Sequence, residues 1–321
     1  MTSLLDDAPH RPVLYNEIIQ FLQPKPGGRY VDCTLGAGGH AWGILEHSSP
    51  DGVLLGLEVD PLALDIARQR LKLFEERVCL VQESYVTLSE QLDNLGWLTV
   101  DGILLDLGVS SMQLDIPERG FSFLMNGPLD MRFDPEAPVR AFDLVNGLSV
   151  DELADIIYRF SEEPHARRIA RAIVQSRPVN STFELAEIVK RTGQSSRSRG
   201  PVEKRTHSAT RTFQALRIAV NHELESLEKV LPQAINRLAE GGRLAVIAFH
   251  SLEDRIVKQT FRQESKGCIC PPRQPFCTCG HKASIAQITP RPIRPTEGEI
   301  RCNPRGRSAR LRVVEKLPAS M

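Results

Sequence analysis

The segment Tyr30-Val-Asp-Cys-Thr-Leu-Gly-Ala-Gly-Gly-His40 holds the densest set of residues able to do chemistry. It reads as a short buried strand, an acid near its end, a glycine turn and a helix start. Glycine lacks a Cβ, so such a turn bares backbone N–H groups and lets a ligand approach the main chain. Asp32 stands just before the glycines, placed to bind a cationic amino group. About twenty residues on, the run Val53-Leu-Leu-Gly-Leu-Glu58 ends in an acid, at the spacing expected for a carboxylate that binds ribose hydroxyls. A third apolar run, Asp101-Gly-Ile-Leu-Leu-Asp106, also ends in an acid. Each feature has a plainer reading. Glycine turns serve packing, Glu58 could cap the next helix together with Asp60, and a strand-end Asp106 could bind backbone N–H groups.

Four of the seven cysteines form Cys268-Ile-Cys270 and Cys277-Thr-Cys279, separated by six residues. In a cytosolic chain such a set suggests zinc more than disulfides, but Cys-x-Cys is not the common Cys-x₂-Cys knuckle. Zinc ligation and reduced structural thiols both stand. Cys33 and Cys79 fall in apolar strands and read as packed thiols.

Lys plus Arg balance Asp plus Glu at 40 each, so net charge points to no partner. Its distribution does. Lys190, Arg191, Arg197, Arg199, Lys204, Arg205, Arg211 and Arg217 face the lone acid Glu203, and Arg291, Arg294, Arg301, Arg305, Arg307, Arg310 and Arg312 form a second run. Two basic patches on a neutral chain suit an anionic polymer, the plainer reading being a solvated surface.

The elements that must position these residues alternate along the first third. Hydrophobic residues make up 41% of 321 residues, enough for a sizeable core. Arg29–Cys33, Val53–Glu58, Val78–Gln82 and Asp101–Asp106 read as apolar strands. Helices separate them, one starting near His40 and one at Pro61, where proline suits the first helical position. Continuous apolar strands between helices indicate a parallel sheet covered on both faces. From Gln113 to Ala209 the rhythm stops, and Val150–Phe160, Ala166–Gln175 and Phe183–Arg191 read as helices of an insertion. The rhythm resumes with a long helix from Arg211 to about Val230 and a shorter helix leading to Glu240-Gly-Gly, then a strand Arg243–Phe249. Ser251-Leu-Glu-Asp254 resembles a capping box, and His250 before it is a candidate to face a substrate. Ile285–Thr289 and Ala309–Val314 complete the set as a final hairpin. No apolar run reaches the ~20 residues of a membrane span, and the N-terminus lacks the pattern of a signal peptide. A cytoplasmic protein is expected.

Taken in order, several separated blocks resemble the RsmH (MraW) family. They are His10-Arg-Pro-Val-Leu14, Gly36-Ala-Gly-Gly-His40, Asp101-Gly-Ile-Leu-Leu-Asp-Leu-Gly-Val-Ser-Ser111, Glu118-Arg-Gly-Phe-Ser-Phe123, Gly127-Pro-Leu-Asp-Met-Arg132, Thr210-Arg-Thr-Phe-Gln-Ala-Leu-Arg217, Phe249-His-Ser-Leu-Glu-Asp-Arg255 and Asn303-Pro-Arg305. Members methylate the N4 amino group of a cytosine in the decoding centre of 16S rRNA, cytosine 1402 in that RNA's customary numbering.

The resemblance implies an α/β fold: a Rossmann-like S-adenosylmethionine-dependent methyltransferase sheet, mostly parallel and seven-stranded, with an all-helical insertion after strand four. Residues 1–112 and 210–321 would form the core, and 113–209 the substrate-recognition insertion. By motif, Gly38, Gly39, His40, Glu58, Tyr85, Asp106 and Gln113 would contact S-adenosyl-L-methionine. Glu58 would bind both ribose hydroxyls and Tyr85 would cover the adenine ring. His40 would contribute more through its backbone N–H than its ring. Asp106 would either accept a hydrogen bond from the target amino group or hold the methionine part of the cofactor. Phe121, Phe123 and Phe133 would either stack on the target base or pin the insertion to its own core. No metal is assigned to the site, and the cysteine cluster, absent from some relatives, is not catalytic. The partner would be 16S rRNA, in an assembled or nearly assembled small ribosomal subunit, with oligomeric state left open. Two rival readings remain. A nicotinamide-dependent dehydrogenase would use the same sheet, but Ala41 and Trp42 follow His40 where a clean G-x-G-x-x-G would continue. A non-catalytic RNA-binding assembly factor would keep the fold without the reaction.

Overall fold

The computed structural model describes residues 12–193, 208–271, 274 and 276–318. Arg197, Arg199, Lys204 and Arg205, the centre of the first basic run, lie outside the described residues. The chain divides into two compact units, one of residues up to Gly108 and from Leu224 onward, the other Val109–Glu223.

The first unit is built on seven strands: β1 (Arg29–Asp32), β2 (Val53–Leu57), β3 (Val78–Val81), β4 (Val100–Asp106), β5 (Leu238–Ala248), β6 (Ile285–Gln287) and β7 (Arg310–Lys316). Their order across the sheet is β3-β2-β1-β4-β5-β7-β6. The first five are parallel, and β7 runs antiparallel to both β5 and β6. This is the Rossmann-like methyltransferase fold, with its reversed strand β7 inserted beside β5.

Alternate residues of each strand enter opposite cores, because side chains in a strand point up and down in turn. Val31, Leu55, Ile103, Leu105 and Val246 pack with Leu92, Val230, Leu231, Val257 and Phe261 on one face. Tyr30, Leu54, Leu104, Ala245 and Ile247 pack with Leu14, Ile18, Ile44, Leu45 and Leu64 on the other. Burial on both faces explains why these strands carry no polar alternation.

The second unit is helical: Ala141–Gly147, Val150–Ser161, Ala166–Gln175, Thr182–Gly193 and Ser208–Asn221 surround one apolar core. The sequence assigned residues 113–209 to this insertion, whereas the compact unit runs 109–223. The helix Ser208–Asn221 packs on Val150–Ser161 and Thr182–Gly193, which sets its allegiance. Two helices form here as expected, but the first, expected to run from Arg211 to about Val230, ends at Asn221. The break is at His222, whose φ is +51°, and the second helix is Glu223–Arg237. A left-handed non-glycine residue cannot continue an α-helix.

Within this unit the blocks Glu118–Phe123 and Gly127–Arg132 hold each other. A Cβ on Gly127 would stand 1.9 Å from the Pro117 carbonyl oxygen, so only glycine lets the two loops cross. Asp130 grips Arg132 through Nε and Nη2 at 2.9 and 2.7 Å, and Arg119 donates to the carbonyls of Arg132 and Phe133. Phe121 stacks on Phe133 with centroids 5.6 Å apart, and Phe123 meets Phe213 edge-on at 5.0 Å. Phe121 is buried in the unit's own core, and Phe123 and Phe133 pack against it half-buried.

Candidate active site

The sheet order reverses at β1. The chain winds outward from β1 to β2 and β3, then returns to place β4 on the other flank of β1. Such a switch point leaves a crevice at the carboxyl ends of the strands, where open α/β sheets bind ligands. Asp32 ends β1 and Asp106 ends β4, while Glu58 follows β2 directly.

Past β1 the backbone continues along the rim. The Cys33 N–H donates to the Leu104 carbonyl at 2.9 Å and the Leu35 N–H to Leu57 at 3.0 Å. Thr34, which sequence reading overlooked, ties the rim together. Its N–H donates to Asp32 Oδ1 at 3.1 Å, and its hydroxyl oxygen accepts from the Asp106 N–H at 2.6 Å. A threonine at a strand end is too common to have signalled this. Gly36 and Gly38 then take left-handed φ values of +52° and +76°, and Gly38 caps the helix Gly39–His47. The Gly38 N–H closes the turn onto the Leu35 carbonyl at 2.8 Å. Gly39 is glycine for packing, since a Cβ there would stand 2.4 Å from Pro12 Cγ.

Glu58 is bound by backbone, with Oε2 accepting from the Gly36 N–H at 2.8 Å and Oε1 from the Asp60 N–H at 2.9 Å. Asp60, not Glu58, caps the next helix, Pro61–Arg70, by accepting from the Leu62 N–H at 3.1 Å. The Val59 N–H binds it as well, leaving the carboxylate, with about four acceptor sites, room for a further donor. Burial pushes the Glu58 carboxyl above its ordinary range, against the pull of the Asp60 and Gly36 N–H groups.

Asp32 is 1% exposed. Burial pushes its pKa up to about 7; His40 and the Thr34 N–H oppose the rise, and the carboxyls of Asp106 and Glu58 add to it. Asp32 therefore feels Glu58, Asp106 and His40 at the carboxyl rim of the sheet. Three carboxyl groups so placed favour a cation among them.

The His40 ring lies beside Asp106. It is buried, lies parallel to the Tyr15 ring at 6.2 Å, and holds Nε2 3.6 Å from Asp106 Oδ2. Both ring nitrogens and Asp106 Oδ1 are buried without a hydrogen-bond partner. Polar atoms left this way are costly unless a ligand or water meets them.

Tyr85 opens a short turn after β3, half-buried against the core. Its neighbourhood is reached through β2, since the Glu58 N–H donates to Val81 at 3.2 Å. Gln113 belongs to the second unit. There it completes a capping box: its Oε1 accepts from the Ser110 N–H at 3.0 Å, and Ser110 Oγ accepts from its N–H at 3.2 Å. The structure thus gathers Asp32, the glycine turn, His40, Glu58 and Asp106 at one rim. It sets Tyr85 one strand further out and Gln113 in the other unit.

The family model described as the MraW methylase family matches residues 7–317. The chain belongs to this family. Three relatives, each named ribosomal RNA small subunit methyltransferase H, match nearly end to end. The one from Dehalococcoides mccartyi is 53% identical over 96% of this chain and 87% of its own. The one from Geobacter sulfurreducens is 52% identical over 96% and 99%. The one from Thermomicrobium roseum is 49% identical over 96% and 94%.

Two other sequence features of this MraW-family chain need correction. The helix Ser251–Glu264 is capped by His250, not Ser251. Its Nδ1 accepts from the Glu253 N–H at 3.4 Å, and Glu253 Oε2 accepts from the Phe249 and His250 N–H groups at 2.8 and 3.2 Å. That frees Asp254 to bind Arg312 Nε at 2.7 Å and Arg310 Nη1 at 3.1 Å, tying the helix to β7. Arg312 is therefore buried structure rather than basic surface. Arg211 and Arg217 likewise pair within the helical unit, with Glu163 at 3.1 Å and Glu223 at 2.8 Å. The exposed members of the second run are Arg291, Arg294, Arg301, Arg305 and Arg307. Among the described residues no helix is long and apolar enough to cross a membrane.

Proposed function

We propose that this chain is a cytoplasmic enzyme that uses S-adenosyl-L-methionine to methylate the N4 amino group of a cytosine in 16S rRNA, at position 1402, within an assembled or nearly assembled small ribosomal subunit. The observation that carries the reading is the rim cluster: buried Asp32 with a pKa of about 7, Glu58 held by backbone N–H groups, and Asp106 Oδ1 buried and unpartnered. The names of the relatives supply the substrate class.

The residues fit the cofactor, since the crevice is acidic, its turn is glycine-lined and its orphaned acceptor lacks a donor. When bound, S-adenosylmethionine supplies an electrophilic methyl group on a sulfonium. Asp32 takes its amino group, and its carboxyl loses a proton as the cation arrives. Glu58 accepts the two ribose hydroxyls; hydrogen bonds to a charged group contribute about 1.5–3 kcal/mol each. Tyr85 covers the adenine, the turn Gly38-Gly39-His40 presents main-chain groups, and Gln113 joins the set by family motif. Asp106 accepts a hydrogen bond from the target amino group. A cytosine amino lone pair is delocalised into the ring, and an acceptor beside it favours a more tetrahedral, nucleophilic nitrogen. With the cofactor bound, these residues would hold the amino nitrogen in line with the methyl carbon, the sulfur would leave as a neutral thioether, and the proton shed by the nitrogen would pass to Asp106 or solvent.

The test is transfer of labelled methyl from S-adenosylmethionine to small subunits that lack the modification, followed by nucleoside analysis of the rRNA. N4-methylcytidine at the single position is expected. Tight binding to the subunit with no label incorporated would instead establish a non-catalytic assembly factor.

A further inference from the structure

Four thiols gather away from the rim. Cys268 and Cys270 follow the helix Ser251–Glu264, and Cys277 and Cys279 precede β6. Cys268 Sγ lies 3.5 Å from Cys277 Sγ and 3.8 Å from Cys279 Sγ, and the last two are 3.6 Å apart. All four sulfurs fall within 4.8 Å of one another. Four sulfurs at ~2.3 Å from a tetrahedral zinc ion stand about 3.8 Å apart. All four are free thiols, at separations well beyond the ~2.05 Å of a disulfide.

The surrounding backbone is arranged for negative sulfur. The Cys270 N–H donates to Cys268 Sγ at 3.4 Å, Thr278 to Cys270 at 3.5 Å and His281 to Cys279 at 3.4 Å. Hydrogen bonds of this kind orient metal ligands and hold their charge.

Apolar burial does not account for the gathering. Cys268, Cys277 and Cys279 are exposed, as are Ile269 at 43% and Phe276 at 80%. The ties to the fold are polar: His281 Nε2 to the Gln263 carbonyl at 3.2 Å, and the Ser284 N–H to Glu264 at 2.9 Å. Short segments without a core are commonly held by a metal.

We propose that Cys268, Cys270, Cys277 and Cys279 bind one Zn²⁺ ion as a closed tetrathiolate that fixes the chain between the helix Ser251–Glu264 and β6. Each thiol still protonated releases its proton to solvent as its Zn–S bond forms. All four positions are filled by protein, so the ion is structural.

The test uses full-length, tag-free protein purified under reducing conditions. Elemental analysis should give one zinc per chain, and cobalt exchange should give the intense visible bands of tetrahedral thiolate coordination. The double variant Cys277→Ser, Cys279→Ser should lose the metal, while Cys302→Ser, altering an exposed thiol outside the cluster, should retain it. In the unaltered protein, four thiols should resist alkylation until a chelator is added. Substoichiometric zinc after reconstitution with no cobalt spectrum, iron in place of zinc, or disulfides among the four in the purified protein would each overturn the proposal.

Discussion

The substitution Asp32→Asn keeps the shape of the side chain and removes its ionisation. Asp32 is 1% exposed, and its pKa rises from 3.8 to about 7 on folding. An acid with a raised folded pKa binds more protons in the native state than in the unfolded chain. Native stability therefore falls as pH rises from the unfolded value through the folded one, and the full penalty applies above pH 7. At about 1.4 kcal/mol per pKa unit the penalty approaches about 4 kcal/mol, and it grows by about 2–3 kcal/mol between pH 5 and pH 8. The variant lacks this term, so it should gain on the unaltered protein by that amount across the interval. Both tryptophans, Trp42 and Trp97, lie in the unit that carries the rim, so their fluorescence follows its unfolding. Urea titrations at pH 5 and pH 8 provide the stability arm. Calorimetry with S-adenosylmethionine provides the second. The unaltered protein should bind more tightly as pH rises through 7 and release protons on binding, while the Asp32→Asn variant should bind about 10–100-fold more weakly. Stability curves that stay parallel for the two proteins would refute the buried, cation-seeking carboxyl. Unchanged affinity would remove Asp32 from the cofactor site.

Three further outcomes follow from the same geometry. Asp106→Asn should lower methyl transfer about 10²–10⁴-fold while the tryptophan unfolding curve stays in place; full activity would take Asp106 out of the reaction. Gly38→Ala should cost about 1–2 kcal/mol of stability, since φ is +76° and its Cβ would press on Leu71 at 3.3 Å; an unshifted urea midpoint would show the turn can relax. Arg312→Met breaks a buried pair and should destabilise by up to about 3–5 kcal/mol at neutral pH. Burial alone would raise the Asp254 carboxyl, but the guanidinium groups of Arg312 and Arg310 hold it below its ordinary range. That stabilisation is present above the unfolded pKa and fades as pH falls through the folded one, so the variant should show a flatter acid limb in pH-dependent unfolding.

Much of the frame was legible because it rests on local rules. Apolar runs of strand length between helices announced a doubly covered parallel sheet, and Asp60 with Pro61 announced a helix start. Less legible was anything resting on one residue's backbone choice. Asn221-His222 is only a weak signal of a left-handed residue, so the break between two helices was placed near Val230 rather than at His222. His250 and Ser251 are both able to cap, and tertiary placement gave the role to His250. The two basic runs shrank once folded, because Arg211, Arg217, Arg310 and Arg312 find acids far away in sequence or on another element.

The sequence by itself determined the sheet, its strand-end carboxylates and the glycine turn, because periodicity and a missing Cβ act within a few residues. The tertiary structure decided that Glu58, His40 and Asp106 all come near buried Asp32, that Thr34 joins two strand ends, and that four scattered thiols meet. Those facts depend on burial and on distances between segments far apart in the chain, and both quantities exist only once the chain has closed.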